Sequence, residues 1–134
     1  AISETTGLNC VVDADATTVN GDMAQQLAMA INEFAINAAK HAYDGKPGGR
    51  LEVKSRREGA ELVLSVADAG KGLDDGAKPG GAGGLGMSIV SAIVRDLRGT
   101  LSARSAAGAI FTIRAPLPVP PQNPNRSFQA WNLD

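Results

Sequence analysis

One cysteine, one histidine, one tryptophan and one tyrosine are all that this 134-residue sequence offers of the side chains that most often mark disulfide, metal or stacking chemistry. A lone Cys10 cannot close an internal disulfide, and with a lone His41 it cannot complete a zinc set. Cys10 stands in the apolar run Leu8-Asn9-Cys10-Val11-Val12 and reads as a small core hydrophobe in a reducing compartment. His41 lies beside Lys40, apart from any serine elbow, so a hydrolase triad has no support. Aromatics make up only 4% of the chain, are not interleaved with Lys or Arg, and accompany a net charge of -1. That balance lacks the footprint of a nucleic-acid binder or of a protein drawn to an acidic membrane surface. No apolar run is long enough to span a bilayer, and the start, Ala1-Ile2-Ser3-Glu4, has no signal-peptide pattern. A Walker phosphate loop is missing, and the strands expected below arrive as hairpins, not as the strand-helix-strand units of a dinucleotide fold.

What is present fits a soluble globular domain: 43% hydrophobic and 20% charged residues, in a chain long enough for one core. Composition changes at Pro116, where Pro-Leu-Pro-Val-Pro-Pro begins. The expectation is a folded domain over 1–117 and a Pro-rich tail or linker over 118–134 that includes Phe128 and Trp131.

In chain order, residues 8–13 are rich in β-formers and predict a strand. A helix is expected from about Asp22, capped by Gly21-Asp22, to about Tyr43, where Asp44-Gly45-Lys46-Pro47-Gly48 stops it. Its apolar stripe is Met23, Leu27, Ile31, Phe34 and Ala38. Roughly 110° away, Glu33, Asn37 and Lys40 fall within about 60° of one another, since spacings of four and three return to one helix face. An acid, an amide and an amine on one stripe are either a solvated face or one wall of a site.

A hairpin follows: Leu51–Arg57, a turn at Glu58-Gly59-Ala60, then Glu61–Asp68. Period two puts Asp68 in the row of Leu62, Leu64 and Val66. There it either begins a turn before Gly70 or lines a pocket, and a carboxylate in a buried row needs hydrogen-bond donors. Asp68-Ala69-Gly70-Lys71-Gly72 leads into residues 73–83, which have no periodicity and read as a lid. Gly84-Leu85-Gly86-Met87 opens a second helix with Ile89, Val90, Ile93, Val94 and Leu97 on its apolar face, closed by Arg98-Gly99. Glycines leading into a helix N-terminus suit phosphate, although a plain Gly-rich linker has the same composition. A last hairpin is expected from Thr100–Arg104 and Ala109–Ala115.

These three signals in this order, the helix with Glu33, Asn37, Lys40 and His41, the strand ending Asp68-x-Gly70-x-Gly72, and Gly84-Leu85-Gly86 into a helix, resemble the ATP-binding domain of the GHKL superfamily. That superfamily joins histidine kinases, type II topoisomerases, heat-shock-type chaperones and mismatch-repair ATPases. The resemblance covers about 8–117. Asn32-Glu33-Phe34-Ala35-Ile36-Asn37-Ala38-Ala39-Lys40-His41-Ala42 and Gly84-Leu85-Gly86-Met87-Ser88-Ile89-Val90 are most similar to sensor histidine kinases with short lids. The implied fold is α+β, a two-layer sandwich of the Bergerat type, with helices on one face of a mixed, mostly antiparallel sheet.

The resemblance also implies roles. Asn37 would bind Mg2+, a hard cation suited to an amide oxygen. Glu33 would orient or deprotonate the attacking nucleophile, Lys40 would neutralise phosphate charge, and His41 would flank the nucleotide. Asp68 would accept a hydrogen bond from the exocyclic amine of adenine. Gly70 and Gly72 would let backbone pass beside the base, and Gly84, Leu85 and Gly86 would wrap the phosphates of ATP. The expected partners are a histidine-bearing dimerisation domain and, through it, a response regulator, with a cytoplasmic location, free or as part of a membrane-anchored sensor. The departures are a lid without an aromatic residue, Ala82 where a glycine is common, and no phosphoacceptor helix, His41 being a poor acceptor inside the ATP motif. The last of these fits a catalytic domain cut from a longer kinase. Two alternatives stay open: an anti-sigma-factor-type serine kinase, and a degenerate protein-binding or phosphotransfer module that has lost ATP.

Overall fold

In a computed structural model, which describes residues 7–43, 46–70, 85–105 and 107–118, the period-two and period-3.6 stretches form seven elements. They are β1 (Asn9–Ala14), α1 (Gly21–Asn37), β2 (Arg50–Glu58), β3 (Glu61–Asp68), α2 (Leu85–Asp96), β4 (Thr100–Ser105) and β5 (Ala109–Pro116). The strands make one sheet in the order β1-β2-β3-β5-β4. β1 runs parallel to β2, and every other pair is antiparallel. This is the expected α+β sandwich with a mixed, mostly antiparallel sheet.

Alternation decides which face is covered. Leu51 and Val53 of β2, Leu62, Leu64 and Val66 of β3, and Ile113 and Ala115 of β5 join one buried cluster with residues from both helices. Both helices therefore lie on the same face. Phe34 of α1 stacks on Phe111 of β5 with ring centroids 4.8 Å apart and 21° between planes, and burying a ring of this size contributes about 2–3 kcal/mol. On the other face Val63 is buried between its register partners Arg56 and Arg114, whose aliphatic stems can cover it while their charged ends stay in water. Glu58 pairs there with Arg56 at 2.9 Å and Arg114 at 3.7 Å, and Glu52 with Lys54 at 3.0 Å and Arg50 at 3.2 Å. Such exposed pairs keep the face polar more than they stabilise it.

The helix ends differ from the sequence expectation. The cap of α1 is Asn20, not Gly21-Asp22: its extended backbone (φ -71°, ψ 167°) lets Oδ1 accept from the Met23 N–H at 2.8 Å. Nor does the α-helix run to Tyr43. It stops at Asn37 and continues as one π turn, Ala38–Ala42, in which the Tyr43 N–H reaches back five residues to the Ala38 carbonyl at 3.1 Å. At the end of α2, Arg98 takes the left-handed conformation (φ 58°) that glycine usually occupies. The Arg98 N–H bonds the Arg95 carbonyl at 3.0 Å and the Gly99 N–H bonds the Val94 carbonyl at 2.9 Å. Gly99 is needed one position later because a Cβ there would collide with the Arg114 carbonyl oxygen.

Two helical crossovers organise the sheet. β1-α1-β2 joins adjacent parallel strands, a strand-helix-strand unit that the hairpin reading of the sequence did not include. β3-α2-β4 joins strands of the same sense with β5 inserted between them. The crossovers step the same way across the sheet from strands of opposite sense, yet both helices lie on one face. They are therefore of opposite hand, and one is the rarely seen left-handed kind.

Candidate functional site

The run of the chain gathers element ends at two opposite edges of the sandwich. Asn20, Met23 and Gln26 of α1 line a cavity of about 360 Å³ with Leu97, Arg98 and Pro116. The start of α1 thus neighbours the end of α2 and the end of β5, and the two helices are antiparallel. The opposite edge gathers the last turns of α1, the end of β3, the beginning of β5 and the beginning of α2. Glu33, Asn37, Lys40, His41 and Asp68 all belong to that edge.

Glu33 and Asn37 stand one turn apart on α1, both half-buried. Neither Glu33 nor Asn37 makes a side-chain hydrogen bond or ion pair among the described residues, and Glu33 is not paired with Lys40. The stripe is therefore not a solvated face laced by Glu/Lys pairs. Lys40 and His41 lie exposed on the π turn. A turn closed by i to i+5 bonds rotates the chain less per residue than an α turn, so Lys40 and His41 are displaced from the line of Glu33 and Asn37.

Asp68 takes up the turn that its position before Gly70 suggested. It starts a turn, with Oδ1 accepting from the Gly70 N–H at 3.0 Å, and it sits half-buried at the end of an apolar row. The same Oδ1 accepts from the Ala109 N–H of β5 at 3.1 Å. Two backbone donors on one oxygen fix the plane of the carboxylate. Oδ2 carries no hydrogen bond among the described residues, so one acceptor oxygen remains for a ligand. The turn into β5 presses against this point: Gly108, at φ 131°, leaves no room for a Cβ against the Asp68 carbonyl oxygen.

Gly70 has a structural reason to lack a side chain, since a Cβ there would lie 2.5 Å from the Ala42 Cβ and carbonyl oxygen. The loop after β3 thus rests on the π turn that carries Lys40 and His41. Tyr43, which the sequence marked only as the end of a helix, ties these parts together. Its Oη donates to the Arg50 carbonyl at 2.6 Å and accepts from the Ala69 N–H at 2.7 Å. Gly49 admits the ring, as a Cβ there would lie 2.5 Å from its Cδ2 and Cε2. A signal was available, for this is the one tyrosine of an aromatic-poor chain and its polar tip needs a partner.

Gly72 and Gly84, and the 73–83 segment read as a lid, lie outside the described residues. Leu85 and Gly86 are the first two residues of α2. With 12 residues against 17, α2 is about 18 Å long and α1 about 26 Å, so antiparallel packing from the far edge brings Leu85 roughly level with Asn32 and Glu33.

The model of the histidine kinase-, DNA gyrase B-, and HSP90-like ATPase family matches residues 22–119, a span that takes in every one of these positions. The chain belongs to this family. Among curated proteins it is 30% identical over 108 residues to blue-light-activated histidine kinase 2 of Erythrobacter litoralis, covering 79% of this chain and 31% of that protein. It is 32% identical over 107 residues to the sensor histidine kinase PdtaS of Mycobacterium tuberculosis, covering 77% of this chain and 21% of that one. The chain thus spans a third or less of the length of these relatives. Among solved structures, the Erythrobacter litoralis EL346 blue-light activated histidine kinase superposes with a TM-score of 0.77 at 26% identity, over 87% of this chain and 38% of that one. The mycobacterial sensor histidine kinase MprB shares the fold, with a TM-score of 0.70 at 23% identity over 87% of both chains. Within the family, then, the chain is an ATP-binding catalytic domain of the sensor histidine kinase type. Among its described residues no helix is long and apolar enough to cross a membrane, and no three His, Cys, Asp or Glu side chains converge on a metal position.

Proposed function

We propose that this domain binds Mg-ATP at the edge formed by α1, β3 and the start of α2, and passes the γ-phosphoryl group to a histidine on a separate helical dimerisation domain. The observation that carries the reading is Asp68, one of whose oxygens is held by two backbone N–H groups while the other has no partner among the described residues and can accept from the exocyclic amine of adenine. Guanine has a carbonyl at the corresponding position and would meet oxygen with oxygen, so this contact selects the base.

The other side chains divide the remaining work. Asn37, half-buried and without a side-chain partner among the described residues, fits a hydrated Mg2+ that takes one protein oxygen and keeps most ligands as water and phosphate. When bound, the ion screens charge on the phosphate oxygens. Lys40 and His41 stand exposed one turn beyond, Lys40 to neutralise phosphate charge and His41 to flank the nucleotide. The backbone N–H groups of Leu85 and Gly86, at the positive end of α2, would hold the phosphates, a role the sequence also gives to Gly84. Glu33 would orient the incoming imidazole and accept its proton as the N–P bond forms and the bond from the γ-phosphorus to the β,γ-bridging oxygen breaks, with ADP as leaving group. Gly70, and by its sequence position Gly72, would let the backbone pass beside the base. In this reading the domain occupies 1–117, residues 118–134 are a linker or tail, and the domain works in the cytoplasm with its dimerisation domain and, through it, a response regulator.

Calorimetric titration of the chain with ATP tests the reading. A saturable heat in the presence of Mg2+, weakened by chelation and by Asn37→Ala, is expected. A folded sample that takes up neither ATP nor ADP would refute it and leave a degenerate protein-binding module.

A further inference from the structure

We infer that Tyr43 is a positioning residue for base recognition: its hydroxyl locks the Asp68-Ala69-Gly70 loop to the rest of the fold and thereby aims the free oxygen of Asp68. The inference rests on the proposal that Asp68 receives the base. It concerns a residue that would touch neither nucleotide nor phosphate.

The loop follows the last residue of β3, where the ladder to β2 ends with Leu51 opposite Asp68. Ala69 and Gly70 have no strand partner, and the Ala69 N–H is given its acceptor by Tyr43 Oη at 2.7 Å. The hydroxyl proton goes to the Arg50 carbonyl at 2.6 Å, at the first residue of β2. One phenolic group therefore uses both its donor and an acceptor site to bridge the start of β2 and the loop after β3. The ring is seated against Gly49, and Ala42, next to Tyr43 in sequence, fills the space that a Cβ on Gly70 would need. The carboxylate of Asp68 is held from the opposite side by the Ala109 N–H. Remove the hydroxyl and, among the described residues, only the β5 side and the turn's own bond to Gly70 remain. Asp68 then keeps its charge and its chemistry but loses a fixed aim, and its ability to tell an amine from a carbonyl is what depends on aim.

The π turn gains a purpose in this arrangement. Tyr43 closes it through the bond from its N–H to the Ala38 carbonyl at 3.1 Å. The side chain that anchors the adenine loop and the turn that bears Lys40 and His41 are one structural unit.

The test compares Mg-ATP with Mg-GTP, each titrated into wild type, Asp68→Asn, Tyr43→Phe and Gly49→Ala. Tyr43→Phe keeps the ring and removes the hydroxyl, whereas Gly49→Ala keeps the hydroxyl and pushes the ring away. If one of the two fails to fold, the other carries the measurement. Wild type is expected to prefer ATP and Asp68→Asn to lose the preference. Both Tyr43→Phe and Gly49→Ala should weaken ATP by about tenfold, the scale of one to two hydrogen bonds, with GTP nearly unchanged. In the amide exchange of Tyr43→Phe, Ala69 and Gly70 should lose protection while β4 and β5 keep theirs. Equal weakening of both nucleotides would mean general loosening, and an intact ATP preference would mean the loop aims itself; either overturns the role of Tyr43 alone. A wild type without base preference would overturn the assignment of Asp68 together with it.

Discussion

Replacing Asp68 by Asn and by Ala separates its two duties, since one oxygen holds the fold and the other is assigned to the ligand. In Asp68→Asn the side-chain carbonyl can still accept from the Gly70 and Ala109 N–H groups, now at 3.0 and 3.1 Å. Each bond changes from charge-assisted to neutral, a loss of about 1 kcal/mol apiece, so the domain should lose about 2 kcal/mol. For a folded unit of this size that lowers the midpoint of thermal unfolding by roughly 8 °C. Asp68→Ala removes the one oxygen that accepts both bonds and strands the Ala109 N–H at a buried residue. It should cost about 4 kcal/mol, near twice as much. Binding follows a different pattern. Asn presents an N–H to the exocyclic amine of adenine where the carboxylate presented an acceptor. The lost charge-assisted bond and the opposed donors together are worth at least about 3 kcal/mol, or roughly a hundredfold in affinity. Thermal melts and Mg-ATP calorimetry on the three proteins read both quantities. The reasoning fails if Asp68→Asn binds ATP within about threefold of wild type, or if Asp68→Ala is as stable as Asp68→Asn.

Glu33→Gln should leave ATP affinity within about twofold and reduce transfer to a histidine-bearing domain by roughly a hundredfold or more, as loss of a positioned base does; radiolabelled ATP and a filter assay measure both, and a parallel fall in affinity would place Glu33 in nucleotide binding instead. Asn20→Ala removes the cap of α1 and should lower stability by about 1 kcal/mol, seen as a shift of a few degrees in the melt. Asp22→Ala should cost less than Asn20→Ala if the cap is placed correctly. Acid should destabilise the domain in a defined sense. The hydroxyl of Thr17, then the Arg57 and Thr17 backbone N–H groups, hold the Asp15 carboxyl below its ordinary value. The bonds to Arg56 and to Lys54 do the same for Glu58 and Glu52. With folded values below the unfolded ones of about 4, the stabilisation is complete above that pH and is lost as pH falls through the folded values. Melts between pH 7 and pH 3 should drop below about pH 4, and less steeply in Asp15→Asn.

Most of the elements could be read from local pattern because their signals are local. The apolar stripe of α1, the alternation of β2 and β3, and the periodic face of α2 each follow from which residues must leave water, and Met23, Leu27, Phe34, Leu62, Leu64 and Val66 are buried as that rule requires. The helix ends were harder. Asn20 and Gly21-Asp22 are all acceptable at a helix start by residue type, and only the backbone angles at Asn20 show which one caps. At the other end nothing in Ala38-Ala39-Lys40-His41-Ala42 forbids an α-helix. The π turn belongs with the distant anchoring of Tyr43 on Arg50 and Ala69, 7 and 26 residues away.

The candidate site divides along the same line. Glu33, Asn37, Lys40, His41 and Asp68 could be named from residue type, spacing and resemblance, because each needs only a particular functional group at the end of an element. What holds them could not. The donors to Asp68 Oδ1 include a backbone N–H 41 residues away on β5, and backbone groups are identical in every sequence.

The sequence by itself determined the class of fold, the two helix faces and the side chains available to a candidate site, since hydrophobic period and chemical type are written residue by residue. Only the tertiary structure decided that the two crossovers are of opposite hand, that a π turn shifts Lys40 and His41 off the Glu33–Asn37 line, and that Asp68 is gripped by Gly70 and Ala109 with Tyr43 behind its loop. Those features arise from contacts between segments far apart in the chain, and local propensity carries no record of which distant group will arrive.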